Sequence, residues 1–461
     1  MSHEADPVHA TLTKAEKAGA HPAELAALRR RLAQLDESRS GLLPGDELEP
    51  LDGVSSLDEL PEPGTRDVRE VLDRLVVVKL NGGLGTSMGL SGPKSLVEVK
   101  PGRTFLDVLA LQVLGVRERH GTRLPLLLMN SARTQAPSLE ALGRHAGLRD
   151  AELPPDFLQG REPKLRADDR MPVEWPADPD LEWCPPGHGD LYTALAATGT
   201  LDHLLAEGMR WAFVSNSDNL GATVDARIAA WIAAEGVPFV METVRGTAAD
   251  RKGGHLARYR GRIVLRETAQ VPEGDSSFTD VERWRYYNTN NLWIDLEALR
   301  ALQAEDPAAP LLPLIVNRKT VDPSEPESPA VIQLETAMGA AVGSIAGART
   351  VQVPRTRFAP VKTTDDLLVV RSDAYELTGD GHLVPTFDGP GPVVTLDRAI
   401  YRLLPGFERR FPAGPPSLRR CRALRVDGDV TFGAGVVVEG EVALSGPGEV
   451  PDGTLLRDTE A

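Results

Sequence analysis

"LVVVKLNGGLGTSMGLSGPKS", residues 75–95, joins a mostly apolar, β-rich run to a segment with five glycines in eleven residues, 82–92. The run 75–80 reads as a strand buried on both faces, the kind found in parallel sheets. Glycines directly after such a strand let backbone N–H groups crowd an anion with no Cβ in the way. Two familiar phosphate loops do not fit. A Walker A loop needs Gly-Lys-Ser/Thr, and here Pro93 separates Gly92 from Lys94. A dinucleotide fingerprint needs Gly-x-Gly-x-x-Gly, and after Gly83 and Gly85 the next glycine, Gly89, comes one residue late. The segment is phosphate-like but of neither common class, with a flexible surface loop as the plainer alternative.

Alternation of strand, loop and helix continues downstream. Residues 105–119 predict a helix, with Thr104 as N-cap and Gly121 past its end, and 124–129 predict a second apolar strand. Residues 211–214 predict a strand ending in Ser215-Asn216-Ser217-Asp218, followed by a helix over 226–234 closed by Gly236 and a strand at 238–241. Repeated β-loop-α units imply a mostly parallel sheet, whose ligands bind at the carboxyl ends of strands. The glycine segment and Asn216/Asp218 both fall at such ends.

The two flanks read differently. Leu25, Leu28, Leu32 and Leu35 recur at helical spacing, with Arg30 and Gln34 on the opposite face and Pro22 at the start. Pro44, Pro50, Pro61 and Pro63 mark a loop or linker. This predicts a helical N-terminal extension over 1–70, packed on a main body at 71–385. In the tail, 386–461, Leu424, Val430, Val436 and Val442 fall six residues apart with glycines between them. That period predicts either coils of a left-handed parallel β-helix or an irregular β-meander.

At 461 residues the chain can hold two or three domains. Its net charge of −16 and lack of any basic stretch exclude nucleic acid or an anionic membrane as the main partner. An anionic ligand must then be held locally, by a few placed cations, backbone amides or a metal ion. Cys184 and Cys421 are too few for a disulfide framework, and no stretch has the length of a membrane span or the form of a leader, so a cytoplasmic home is expected. Only nine of the 51 basic residues are lysines, so a Lys beside a glycine or proline suggests a wanted point charge. Lys94, Lys252 and Lys362 stand in such settings.

Four clusters carry chemistry. In "PPGHGD" a histidine, His188, sits between Gly187 and Gly189, a poor setting for a packed core, which points to ligand contact or an exposed turn. "SNSDNLGATVD" ends a strand with Asp218, able to hold Mg²⁺ on a phosphate or to cap a helix. "YYNTNNLWIDL" supplies Asn288, Asn290 and Asn291, amides suited to sugar hydroxyls or to a polar turn. "RFAPVKTTDDLL" places Lys362 before a helix start, where a negative ligand would explain it, with an ordinary surface lysine as the alternative. No Ser-His-Asp, Cys-His or zinc pattern is present. Backbone amides, lysines, one carboxylate and sugar-type donors suit phosphoryl or nucleotidyl transfer, where positioning and charge neutralisation supply most of the rate.

Together with "KGGHLAR", "VIQLETAMGAA" and "PVKTTDDLLVVRSD", these motifs resemble, in order over 75–377, the eukaryotic-type UTP–glucose-1-phosphate uridylyltransferases. The resemblance implies an α/β fold: a Rossmann-like, glycosyltransferase-A-like nucleotidyltransferase core followed by a left-handed parallel β-helix. It implies Mg²⁺ as cofactor and UTP, glucose 1-phosphate, UDP-glucose and pyrophosphate as partners. Residue by residue, it implies that Leu80, Asn81, Gly82 and Gly83 line the UTP base and phosphates and that Lys94 neutralises the triphosphate. Gln159 would meet the uracil, Gly187 the nucleotide and His188 the glucose 1-phosphate. Asn216 and Ser217 would border the sugar phosphate, Asn290 a glucose hydroxyl, and Asp218 would take Mg²⁺. Lys362 matches the catalytic lysine. Reaction would be in line, without a covalent enzyme intermediate.

Three departures stand out. Ser91 replaces a second lysine common in the family, and Ser217 an apolar residue found in some members. The tail stops before the family's final strand, which leads us to expect a monomer or dimer rather than a large oligomer. A UDP-N-acetylhexosamine pyrophosphorylase and a non-catalytic UDP-sugar sensor are the rival readings; "LNGGLGTSMG" and "NTNNLW" argue against the first, and the presence of Lys94, Asp218 and Lys362 against the second.

Overall fold

Leu75–Asn81 (β1) runs through the middle of the main sheet, as its unbroken apolar sequence requires. In the computed structural model, which describes residues 6–36, 41–247 and 250–458, Leu75 and Val77 enter one core and Val76 and Val78 the other. β1 pairs in parallel with Leu126–Asn130 (β2) on one side and Trp211–Asn216 (β4) on the other, and β2 pairs in parallel with Asp156–Leu158 (β3). The register sets Leu80 opposite Asn216 and Asn81 opposite Asn130, so the carboxyl ends of three strands finish at one level. Beyond β4 the direction reverses: Tyr286–Asp295 (β6) pairs antiparallel with β4 and with Phe239–Arg245 (β5). The fold is therefore mixed α/β, with the parallel sheet at its centre and an antiparallel wing beside it.

Local chemistry sets the helix ends. Phe105–His120 starts at Thr104, whose hydroxyl accepts the Asp107 N–H while the Asp107 carboxylate accepts the Thr104 N–H, and stops at Gly121 with φ 63°. Ala226–Glu235 ends in the same way at Gly236, φ 62°. β2 begins later than the sequence pattern implies, because Leu124 adopts φ 33°, outside the extended region.

The N-terminal extension is more embedded than its sequence suggests. On Pro22–Asp36, Leu28, Leu32 and Leu35 pack on Leu165, Ile332 and Leu334. The polar side is engaged too: Arg30 pairs with Asp306 at 2.7 Å, and the Gln34 amide bonds the Leu312 carbonyl and the Leu314 N–H. The proline-marked stretch is not a free linker. Glu49–Pro50 forms an edge strand opposite Arg258 and Ala257, and Thr65–Leu72 buries Val68, Val71 and Leu72.

In the tail, Ser417–Asp427 pairs in parallel with Val437–Ser445, Leu424 opposite Val442, and Val430–Phe432 pairs in parallel with Gly448–Val450. One turn of this coil thus takes three of the six-residue units, and Leu424, Val430, Val436 and Val442 are all buried. Parallel stacking of this kind is not a meander. No helix among the described residues is long and apolar enough to cross a membrane.

Beneath the strand ends lies a buried ion pair. Arg357 donates to both oxygens of Glu242 on β5, at 2.9 and 2.5 Å, and the Trp293 indole N–H adds a third bond at 3.0 Å. Removing one partner of such a pair strands a charge in low dielectric. Glu242→Ala should therefore lower stability by about 3–5 kcal/mol, read as an earlier urea midpoint at unchanged slope. A loss below about 1 kcal/mol would contradict this account of the pair.

Candidate active site

The glycine segment begins where β1 ends, and each of its residues meets a different constraint. Asn81 turns inward: its amide donates to Asn130 Oδ1 at 2.7 Å and to Ser138 Oγ at 2.8 Å. The Asn81 side chain ties two strand ends together and, with both amide hydrogens engaged, has no free side-chain donor. A Cβ on Gly82 would run into the Gln159 side-chain amide, so Gly82 and Gln159 form one surface although far apart in sequence. Nothing stands within 4 Å of a Cβ built on Gly83, so the space beside it is open. A single tight turn at Thr86–Met88, flanked by Gly85 at φ 63° and Gly89 at φ 73°, then folds the segment back.

That reversal returns Lys94 to the strand ends, its N–H 3.3 Å from the Gly83 carbonyl. Its ammonium donates to Asp218 Oδ2 at 2.7 Å. Asn216 ends β4 beside the half-buried Leu80, and the Ser217 N–H donates to the Leu80 carbonyl at 3.1 Å. The Asp218 carbonyl accepts the Val361 N–H, also at 3.1 Å, which seats the segment carrying Lys362 against the end of β4. Lys362 is exposed, and its ammonium pairs with no carboxylate among the described residues. Helix Thr364–Arg371 follows at once, with Thr363 as its N-cap, as the sequence predicts.

His188 is held between glycines for a reason the sequence does not disclose. Gly187, φ 79°, leaves only 2.6 Å between a built Cβ and the Thr336 carbonyl, and a Cβ on Gly189 would meet the Thr336 hydroxyl. Both glycines let strand Ala330–Thr336 press on the turn, and the ring is half-buried rather than free. His188 Nδ1 accepts the Met338 N–H at 3.1 Å, which assigns the ring proton to Nε2. Burial, helped by the nearby Lys362 ammonium, pushes its pKa down to about 4. At neutral pH His188 is an uncharged N–H donor facing away from Met338.

Asn290 sits in the left-handed region, φ 58°, at a bulge where β6 falls out of step with β5 between Met241 and Thr243. Asn288 holds it there: the Asn288 amide donates to Asn290 Oδ1 at 2.9 Å, and the Asn290 N–H donates back at 2.8 Å. Asn291 points the other way, into the buried layer, onto Glu242 and the Arg357 carbonyl at 3.0 and 3.2 Å.

Several residues that shape the cleft were not singled out from the sequence. The Asn219 amide bonds Asn291 Oδ1 and the Arg357 carbonyl, at 3.1 and 3.2 Å, and its oxygen accepts the Ala359 N–H at 3.0 Å. It thus fastens the Lys362 segment to the strand ends; its place beside Asp218 was the only signal. Lys79, beneath, donates to Ser215 Oγ and the Ala222 carbonyl, both at 2.7 Å, and burial followed by the Arg357 charge, opposed by Glu242, brings its pKa down to about 7. Glu267 gave no sequence signal. It follows hairpin strand Arg262–Arg266, a Cβ on Gly254 would come 2.6 Å from its carboxyl carbon, and burial raises its pKa against the pull of Lys362.

No group of three or more His, Cys, Asp or Glu side chains among the described residues could cage a metal. Asp218 alone, at an open strand end, suits a divalent cation that arrives already bound to substrate phosphates, because Mg²⁺ takes one or two carboxylates and completes its shell with phosphate and water.

Residues 28–439 match the UTP–glucose-1-phosphate uridylyltransferase family. The enzyme of that name from Solanum tuberosum is 40% identical over 428 residues, covering 90% of this chain and 86% of its own. That from Saccharomyces cerevisiae is 40% identical over 394 residues, covering 84% and 78%. A variant UDP-glucose pyrophosphorylase from Leishmania major, solved with UDP-glucose, superposes with a TM-score of 0.92 at 42% identity over 99% of each chain.

The depressed His188 pKa has a measurable sign. An unfolded histidine takes up its proton near 6.5, whereas His188 in the fold waits until about 4. Its contribution to stability is whole above 6.5 and declines as pH falls toward 4. Ring ¹⁵N shifts should show a neutral Nε2–H form down to about pH 5; a ring titrating at the ordinary histidine value would contradict the geometry.

Proposed function

The chain belongs to the UTP–glucose-1-phosphate uridylyltransferase family, and we propose that the cleft at the ends of β1, β2 and β4 is where it works. It is an enzyme that joins UTP and glucose 1-phosphate into UDP-glucose and pyrophosphate. One observation supports this placement above the rest. Lys94, Asp218 and the Lys362 segment, distant in sequence, are drawn together beside the open face of Gly83.

In this reading the uracil lies on Gly82 against Gln159, and the glucose 1-phosphate is met by His188, Asn216, Ser217 and Asn290. His188 donates through Nε2 without adding charge, and Asn288 fixes the amide of Asn290. An oxygen of glucose 1-phosphate attacks the α-phosphorus of UTP in line. The new P–O bond forms as the bond to the β-phosphate bridging oxygen breaks, and pyrophosphate carries off that electron pair. No enzyme nucleophile is needed. Lys94 turns from Asp218 to a phosphate oxygen and Lys362 meets the reacting phosphate, so two ammonium groups offset the developing charge. Asp218 would hold a divalent cation, Mg²⁺ in our reading, which when bound supplies further charge neutralisation on the phosphates. The core is then a glycosyltransferase-A-like nucleotidyltransferase, and the parallel coil of the tail a left-handed β-helix.

The test is pyrophosphate release from UTP and glucose 1-phosphate with Mg²⁺, beside a control with N-acetylglucosamine 1-phosphate. Release should require the unsubstituted hexose, and Lys362→Ala should lower kcat by about 10²–10³-fold. Release only with the N-acetyl sugar would replace this reading by the hexosamine one. An unaffected Lys362→Ala enzyme would remove Lys362 from the chemistry.

A further inference from the structure

The glycine segment has two ends with different neighbours. Gly82 meets Gln159, whereas a Cβ on Gly89 would come 3.0 Å from Leu403 Cδ2, in the C-terminal unit. Beside that second contact lies a cavity of about 80 Å³ whose walls include Ser87, Lys362, Thr363, Asp365, Arg398 and Arg402. Its polar walls come from three parts of the chain: the tight turn of the glycine segment, the start of Thr364–Arg371, and the short helix Arg398–Tyr401 with Arg402 next to it.

The charges there are unusual for this molecule. The chain carries a net −16, yet the cavity wall has three cations and one carboxylate. Arg398 and Arg402, both exposed, form no ion pair and no side-chain hydrogen bond among the described residues, unlike most arginines of the chain. Four positions apart on one helical turn, they share a face. Asp365 is partly engaged already, accepting a backbone hydrogen bond at Leu396, and it attracts Arg398 without forming an ion pair with it. Unpaired guanidinium groups with hydroxyls and an ammonium suit a polyphosphate, which offers several oxygens for charge-assisted bonds.

Direction matters as well. Lys362 both faces this cavity and lies close enough to His188 to perturb its ring. The His188 side receives the attacking sugar phosphate, and in-line displacement sends the leaving group away from the attacker. We propose that Arg398 and Arg402 form the subsite for the β- and γ-phosphates of UTP, which depart as pyrophosphate, so that the C-terminal unit completes the active site. This rests on the reaction assigned above.

Pyrophosphorolysis separates the two. With UDP-glucose, pyrophosphate and Mg²⁺, the unsubstituted chain should form UTP. Arg402→Ala and Arg398→Ala should each raise KM for pyrophosphate about tenfold, and both should leave KM for UDP-glucose within about twofold. Arg402→Lys should fall between. Both side chains are exposed, so the variants retain the fold; superimposable circular dichroism checks this. No UTP formed by the unsubstituted chain would overturn the assigned reaction. UTP formed with variant constants unchanged, or with both constants raised equally, would overturn the subsite alone.

Discussion

The Lys362 side of the candidate site rests on a buried pair, Glu242 with Arg357. An ion pair taken out of water seldom gains net stability, so its value has to be sought in what it positions. Here the Arg357 carbonyl accepts the amides of Asn219 and Asn291, and Asn291 also bonds Glu242. The Trp293 indole and the Thr223 carbonyl use further hydrogen-bonding capacity of the pair. The result is an enclosed polar knot that clamps the segment 357–361 to the end of β4 and, through Asn291, to the middle of β6. Lys362 stands where it does because the residue before it is fixed to Asp218.

Above that knot the cleft is built to change its charge state little on its own. His188 is neutral, Lys94 and Asp218 satisfy each other, and Lys362 has no carboxylate partner among the described residues. In the proposed reaction an incoming polyphosphate would bring the negative charge, and the local cations would meet it in a protein that is otherwise strongly acidic. Placing a few charges at strand ends, rather than coating a surface, confines the attraction to one spot.

How far the sequence disclosed this follows from the range of each interaction. β1 and the helices 105–120 and 226–235 were legible because apolar runs, an N-cap threonine and closing glycines are local signals. The antiparallel wing was not, since periodicity carries no information on pairing direction. Arg30 and Gln34 look like a solvent face because their partners, Asp306, Leu312 and Leu314, lie far along the chain. Gly187 and Gly189 drew attention to His188, but the pressure from Thr336 that requires them is visible only in three dimensions. At Asn81 the motif does not disclose that the side-chain amide holds β1 to β2. Glu267 and Arg357 gave no signal, because burial and partner together define their roles.

The most direct test of the account is a crystal structure of this chain with UDP-glucose bound. The account predicts the uracil on Gly82 against Gln159, the hexose between Asn290 and His188 Nε2, and the diphosphate beside Lys362. A nucleotide seated outside this cleft, or reversed within it so that the hexose meets Gln159, would contradict it.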